Sequence, residues 1–90
     1  MALVSIPSSL RRLTLGVSKV TARGETVHEV FADLEAHYPG LREQICDKTG
    51  AVRRFARIFL DGEDIQSMQG FDTPLEDSAQ ISIVMAISGG

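Results

Sequence analysis

The hydrophobic positions change period several times along the chain, and each change marks an element. Val4 and Ile6 alternate with Ser5, which predicts a strand that Pro7 ends. Ser8 to Gly16 reads as a loop carrying Arg11 and Arg12, and Val17 to Ala22 as a second strand, so the pair forms a hairpin with a long connection. After Gly24-Glu25 the period becomes helical. Thr26 and Glu29 fit a capping box, and Val27, Val30, Phe31, Leu34 and Tyr38 fall on one stripe. Pro39-Gly40 is a stop signal, so a helix is predicted over 26–38. Leu41 to Cys46 adds a short helical turn, and Asp47 to Gly50 is loop. Phe55 to Leu60 is the next strand, and Asp61-Gly62 is a two-residue hairpin signal that demands positive φ. Ile65 to Met68 reads as a short return strand and Phe71 to Asp77 as turn-rich. Gln80 to Ile87 is the last strand, with Ile81, Ile83, Met85 and Ile87 on one face and Ser82, Val84 and Ala86 on the other.

The predicted order is strand, strand, helix, strand, short strand, strand. A single main helix must cover one face of a mixed sheet of four or five strands, because nothing else can bury that face. The first and last strands can then pair in parallel at the centre. This is an α+β chain of β-grasp, ubiquitin-like arrangement, with a domain over 1–86 and a flexible tail over 87–90 ending in Gly-Gly.

Composition narrows the class. The 90 residues are 43% hydrophobic and 23% charged, as in an ordinary soluble domain. The longest apolar run, Ile83 to Ile87, is far short of the ~20 residues that span a bilayer, so no membrane role is expected. The first residues lack a basic segment followed by a long apolar one, so no signal peptide is expected and the expected compartment is the cytoplasm. The one cysteine, Cys46, excludes an internal disulfide framework and a cysteine-based zinc cage. Charge is unevenly spread: residues 1–60 hold nine bases and six acids, whereas residues 61–90 hold six acids and no base. An acidic total without a basic stripe is a poor match to a phosphate backbone, so nucleic acid is not an expected partner. The acidic segment reads first as solvated turns and second as a docking face for a basic surface.

The chemistry points to the C-terminus. The last strand runs directly into Ser88-Gly89-Gly90. A tail without Cβ atoms can thread a narrow channel and bring its carboxylate close to a nucleotide phosphate. A carboxylate is a poor electrophile and must be activated, typically as an acyl-adenylate. The chain has no glycine-rich phosphate loop, so activation falls to another protein. The plain alternative is a frayed tail without function.

Other residues are weaker candidates. Cys46 has no obvious His partner and reads as a buried, inert thiol. His28 and His37 lie nine apart, which is not the spacing of a helical metal pair, so no metal site is expected. Glu63 and Asp64 fit a solvated hairpin end. If Ala56, Ile58 and Leu60 face the helix, then Phe55, Arg57 and Phe59 face outward, as does Val84. Phe59 and Val84, rimmed by Arg57, are the expected partner-docking patch. Scattered apolar surface residues without meaning are the alternative.

These segments resemble the ubiquitin-like sulfur carriers of the ThiS/MoaD family over nearly the whole chain. The resemblance rests on Val4-Ser5-Ile6-Pro7, Leu10-Arg11, Asp33-Leu34-Glu35-Ala36-His37-Tyr38, Arg54-Phe55 with Glu63-Asp64-Ile65, and Gly89-Gly90. Within the family it is most similar to the thiocarboxylate carriers of cysteine biosynthesis. It departs at Asp77-Ser78, where many relatives have Asp-Gly, and at Met85, where many have proline. The resemblance implies a carrier, not an enzyme, with no catalytic residue and no bound cofactor of its own. A ubiquitin-activating-enzyme-like adenylyltransferase would use ATP to adenylate Gly90, and a sulfur donor would displace AMP to leave a thiocarboxylate. The acceptor implied is a cysteine synthase that uses pyridoxal phosphate (PLP), with a metal-dependent peptidase releasing the product. A monomer suffices for such serial docking. Carriage of sulfur for molybdopterin, thiazole or a thio-containing secondary metabolite, a protein modifier joining Gly90 to lysines, and an interaction module with an incidental tail are the alternatives.

Overall fold

The computed structural model describes residues 1–86. Five strands, β1 (Ala2–Ser5), β2 (Lys19–Ala22), β3 (Ala56–Leu60), β4 (Glu63–Asp64) and β5 (Gln80–Met85), form one sheet in the order β2-β1-β5-β3-β4. Two helices, α1 (Val27–His37) and α2 (Leu41–Ile45), join β2 to the second half of the chain. β1 and β5 run parallel at the centre, with Leu3 opposite Gln80 and Ser5 opposite Ser82, and the other pairings are antiparallel. This is the β-grasp arrangement.

Burial follows the period-two pattern. Val4, Ile58, Ile81 and Ile83 turn their side chains to the helix face and are buried. The stripe Val27, Val30, Phe31 and Leu34 of α1 closes over them, as the helical spacing requires. Phe31 meets Phe71 edge to face, with ring centroids 5.7 Å apart. The two buried polar side chains among the described residues are both satisfied. Thr14 donates its hydroxyl to the Val17 carbonyl at 2.8 Å, and Thr73 donates to the Gly70 carbonyl at 2.7 Å.

The start of α1 departs slightly from a reciprocal capping box. Thr26 accepts from the Glu29 N–H at 3.2 Å, as predicted, but the Glu29 carboxylate accepts from the N–H of Glu25 instead of that of Thr26. Thr26 sits in a bridge with Pro74, which ties the helix entry to the segment before β5. Gly24 lies against this first turn. A Cβ there would stand 2.6 Å from the Val30 amide nitrogen and 2.9 Å from the Glu29 carbonyl carbon. Because those are backbone atoms, they cannot swing aside. Gly24→Ala is expected to lower unfolding stability by about 2–3 kcal/mol. Urea titration checks this: the midpoint falls while the slope stays the same.

Several predicted elements need correction. Residues 8–16 are not plain loop: Ser8–Thr14 forms a 3-10 helix that buries Leu10 and Thr14 and packs toward α2. Its period of three places Leu10 and Leu13 on one side. Ile65–Met68 is not a strand. The return strand is Glu63–Asp64, after which the Asp64 side chain accepts from the Gln66 N–H at 2.9 Å and starts a 3-10 turn over Ile65–Ser67. That turn drives Ile65 into the core, where it is fully buried. Val17, Ser18 and Phe55 precede their strands instead of opening them. The predicted Asp61-Gly62 turn is present, with φ of 49° and 88°. Ile87 and the tail residues Ser88, Gly89 and Gly90 lie outside the described residues.

Candidate functional site

The outward face of the sheet is built by the residues left over from the core. On β3, Arg57 and Phe59 alternate with buried Ala56, Ile58 and Leu60. The β3–β5 register sets Arg57 opposite Val84 and Phe59 opposite Ser82. Arg57, Phe59 and Val84 therefore share one face, with Val84 exposed and Phe59 half-buried. Asp64 sits across from Phe59 on β4. Arg57 Nη1 donates to its Oδ2 at 3.2 Å across the solvent-facing surface. An exposed pair of this kind adds at most about 1 kcal/mol of stability, and its greater effect is to orient the guanidinium beside the apolar patch. Ser88, Gly89 and Gly90, the sequence-predicted reactive residues, lie outside the described residues. β5, which leads to them, is held on both sides by β1 and β3. The last described residue, Ala86, donates its N–H to the Phe55 carbonyl at 2.7 Å.

The remaining titratable candidates lie elsewhere. Cys46 is buried at the edge of a cavity of about 600 Å³ that Glu35, Arg42 and Arg53 also line. Burial pushes its thiol above the ordinary value, and the neighbouring Arg42 guanidinium only partly opposes that. Such a thiol stays protonated at neutral pH and is a poor nucleophile. Glu35 does structural work there, accepting from the N–H groups of Gly40 at 2.9 Å and Arg42 at 3.0 Å. Asp47 closes the following turn by accepting from Thr49 and Ala51, and those bonds hold its carboxyl below the usual range. His28 is exposed on α1, and exposed His37 hydrogen-bonds the Asp33 carbonyl on its own helix. Glu63 accepts from Ser67 at the hairpin end.

The fold and the sequence are shared with known proteins. The ThiS family model matches residues 4–90. The chain belongs to the ThiS family. It is 38% identical over 89 residues to the sulfur carrier protein CysO of Mycobacterium tuberculosis, covering 97% of this chain and 96% of that one. The fold matches the crystal structure of Mycobacterium tuberculosis CysO with a TM-score of 0.91 at 36% identity, over 97% of this chain and 100% of that one. It matches a chain of the Amycolatopsis orientalis BexX/CysO complex with a TM-score of 0.92 at 30% identity, over 100% of both chains. These ThiS-family relatives are small ubiquitin-like carrier proteins, not enzymes. Among the described residues, no helix is long and apolar enough to cross a membrane.

Proposed function

We propose that this chain is a sulfur carrier whose Gly90 carboxylate is activated by a partner enzyme and converted to a thiocarboxylate that donates sulfide. The observation that carries the reading is 38% identity to a sulfur carrier protein over 97% of this chain, with the family match running through residue 90. In the first step a Gly90 carboxylate oxygen attacks the α-phosphorus of ATP on the partner, and pyrophosphate leaves. Sulfide then displaces AMP from the acyl carbon and gives the Gly90 thiocarboxylate. The thiocarboxylate sulfur is ionised at neutral pH and nucleophilic. Its acceptor is an unsaturated amino-acid unit held by a PLP-dependent cysteine synthase. The sulfur adds to the terminal carbon of that unit's double bond while the α-carbon takes a proton, giving a thioester. Once the amine is free, the acyl group shifts to it from sulfur, the thiol is released, and cysteine is amide-linked to Gly90. Hydrolysis by a metal-dependent peptidase releases cysteine and restores the carboxylate. ATP, PLP and the peptidase metal belong to the partners, and the carrier domain ends where its reactive tail begins, near residue 86.

The docking face for these partners is Arg57, Phe59 and Val84. Support comes from their shared outward side and from the tie between β5 and both of its neighbours. A relative also forms a complex of its own, the BexX/CysO complex. The test combines the chain, the adenylating enzyme of the same cells, ATP and sulfide, followed by the cysteine synthase and its amino-acid substrate. The expected result is a C-terminal peptide that gains sulfur and then a cysteine. Phe59→Ala and Val84→Ser are expected to slow activation or delivery by about tenfold while the domain stays folded, which is the loss of a modest apolar anchor. Unchanged rates for both variants count against this face.

A further inference from the structure

The parallel pairing of β1 with β5 has a geometric consequence for recognition. Because Ser5 lies opposite Ser82, the C-terminal end of β1 and the end of β5 that leads to Gly90 point the same way. The connection from Pro7 to Ser18 leaves from that end, and Phe55 enters β3 there beside Ala86. Of the six exposed large hydrophobic residues among those described, four stand at this end: Leu15, Val17, Phe55 and Val84. Leu15 is the most exposed of the six, at 89%. Its backbone is left-handed, φ 56° and ψ 34°, a conformation that an L-residue with a Cβ adopts at a cost. The loop around it is pinned: the Gly16 N–H donates to the Arg11 carbonyl at 2.7 Å, the Val17 N–H donates to the Thr14 carbonyl at 3.0 Å, and buried Thr14 holds the Val17 carbonyl. The left-handed backbone at Leu15 closes the 3-10 helix as its C-cap, and the turn so fixed holds the leucine side chain in solvent, where its exposure adds nothing to the fold.

We propose that Leu15, with Phe55 beside the β5 end, is an apolar anchor for the enzyme that activates Gly90. The inference rests on that enzyme existing, as the proposed function has it. Gly90 is the fourth residue after Ala86, and four fully extended residues span at most about 14 Å. An enzyme that holds the Gly90 carboxylate at a nucleotide phosphate must therefore bring its surface to this end of the sheet. The partner is thus an enzyme whose channel mouth carries a small apolar socket flanking the entry for the tail. Leu15 adds a contact outside the Arg57–Phe59–Val84 register, on the connection between β1 and β2.

The test uses Leu15→Asn, because asparagine tolerates the left-handed conformation and removes the apolar side chain. Its melting temperature is expected to equal or exceed that of the parent chain. With the adenylating enzyme of the same cells, KM for the carrier and the Kd measured without ATP are expected to rise about tenfold, with kcat within twofold. Leu15→Met is expected to restore both, and Phe55→Ser to weaken both by several-fold. Normal adenylation with unchanged KM and Kd for Leu15→Asn overturns the anchor and leaves the carrier reading standing. Leu15-dependent binding without any Gly90 adenylate overturns the carrier reading and, with it, the assignment of this anchor to an activating enzyme. An enzyme that neither binds nor adenylates the parent chain overturns both.

Discussion

Deleting Gly90 is expected to reduce ATP-dependent activation of this chain at least about 100-fold while leaving its unfolding midpoint unchanged. The magnitude follows from reach. Loss of one residue withdraws the terminal carboxylate by up to about 3.5 Å, whereas attack on a phosphorus needs the reacting atoms about 3–3.5 Å apart. The proposed docking face is untouched by the deletion, so the loss is expected in the rate at saturation and not in affinity. Stability is unaffected because the core contributions of β5 end within Gln80–Met85, where Ile81 and Ile83 are buried. ATP–pyrophosphate exchange and thermal melting on the same samples separate the two quantities. Exchange within a few-fold of the parent chain would remove Gly90 from the chemistry.

The largest stability effect is expected from Phe31→Ala. Phe31 is fully buried at the centre of the α1 stripe and packs edge to face on Phe71. Truncating a buried phenylalanine costs about 3–5 kcal/mol, from lost transfer energy and the cavity left behind. Small domains hold only about 5–15 kcal/mol in total, so a large share of the margin goes. In a domain of this size the melting temperature should fall by roughly 15–30 °C. Phe71 is only half-buried, so Phe71→Ala should cost clearly less. Phe31 serves the core, so at a temperature where the variant is folded, Gly90 activation should run at the parent rate. Equal melting of the parent and Phe31→Ala would contradict the assignment of this ring to the core.

The parts of the fold that could be read from the residues are those with long, clean periodicity. The α1 stripe and the alternation on β3 and β5 each repeat several times, and together with the Asp61-Gly62 turn they define the sheet order. The 3-10 segments were not legible. Ser8–Thr14 offers only the spacing of Leu10 and Leu13, which a loop can also show. Ile65 invites a strand reading because it is β-branched and follows a hairpin turn, but the Asp64 side chain caps the next N–H and diverts the backbone. The candidate site divides the same way. The outward placement of Arg57, Phe59 and Val84 follows from period two alone. Leu15 does not, since its exposure and left-handed backbone come from the turn that Thr14 pins; the apolar residue just before Gly16 was its only signal.

The most direct test of the carrier reading is the intact mass of the chain purified from its own cells, with the C-terminal peptide fragmented. The account predicts a population in which one oxygen of Gly90 is replaced by sulfur. A Gly90 carboxylate that persists even after incubation with ATP, sulfide and the native adenylating enzyme would contradict it.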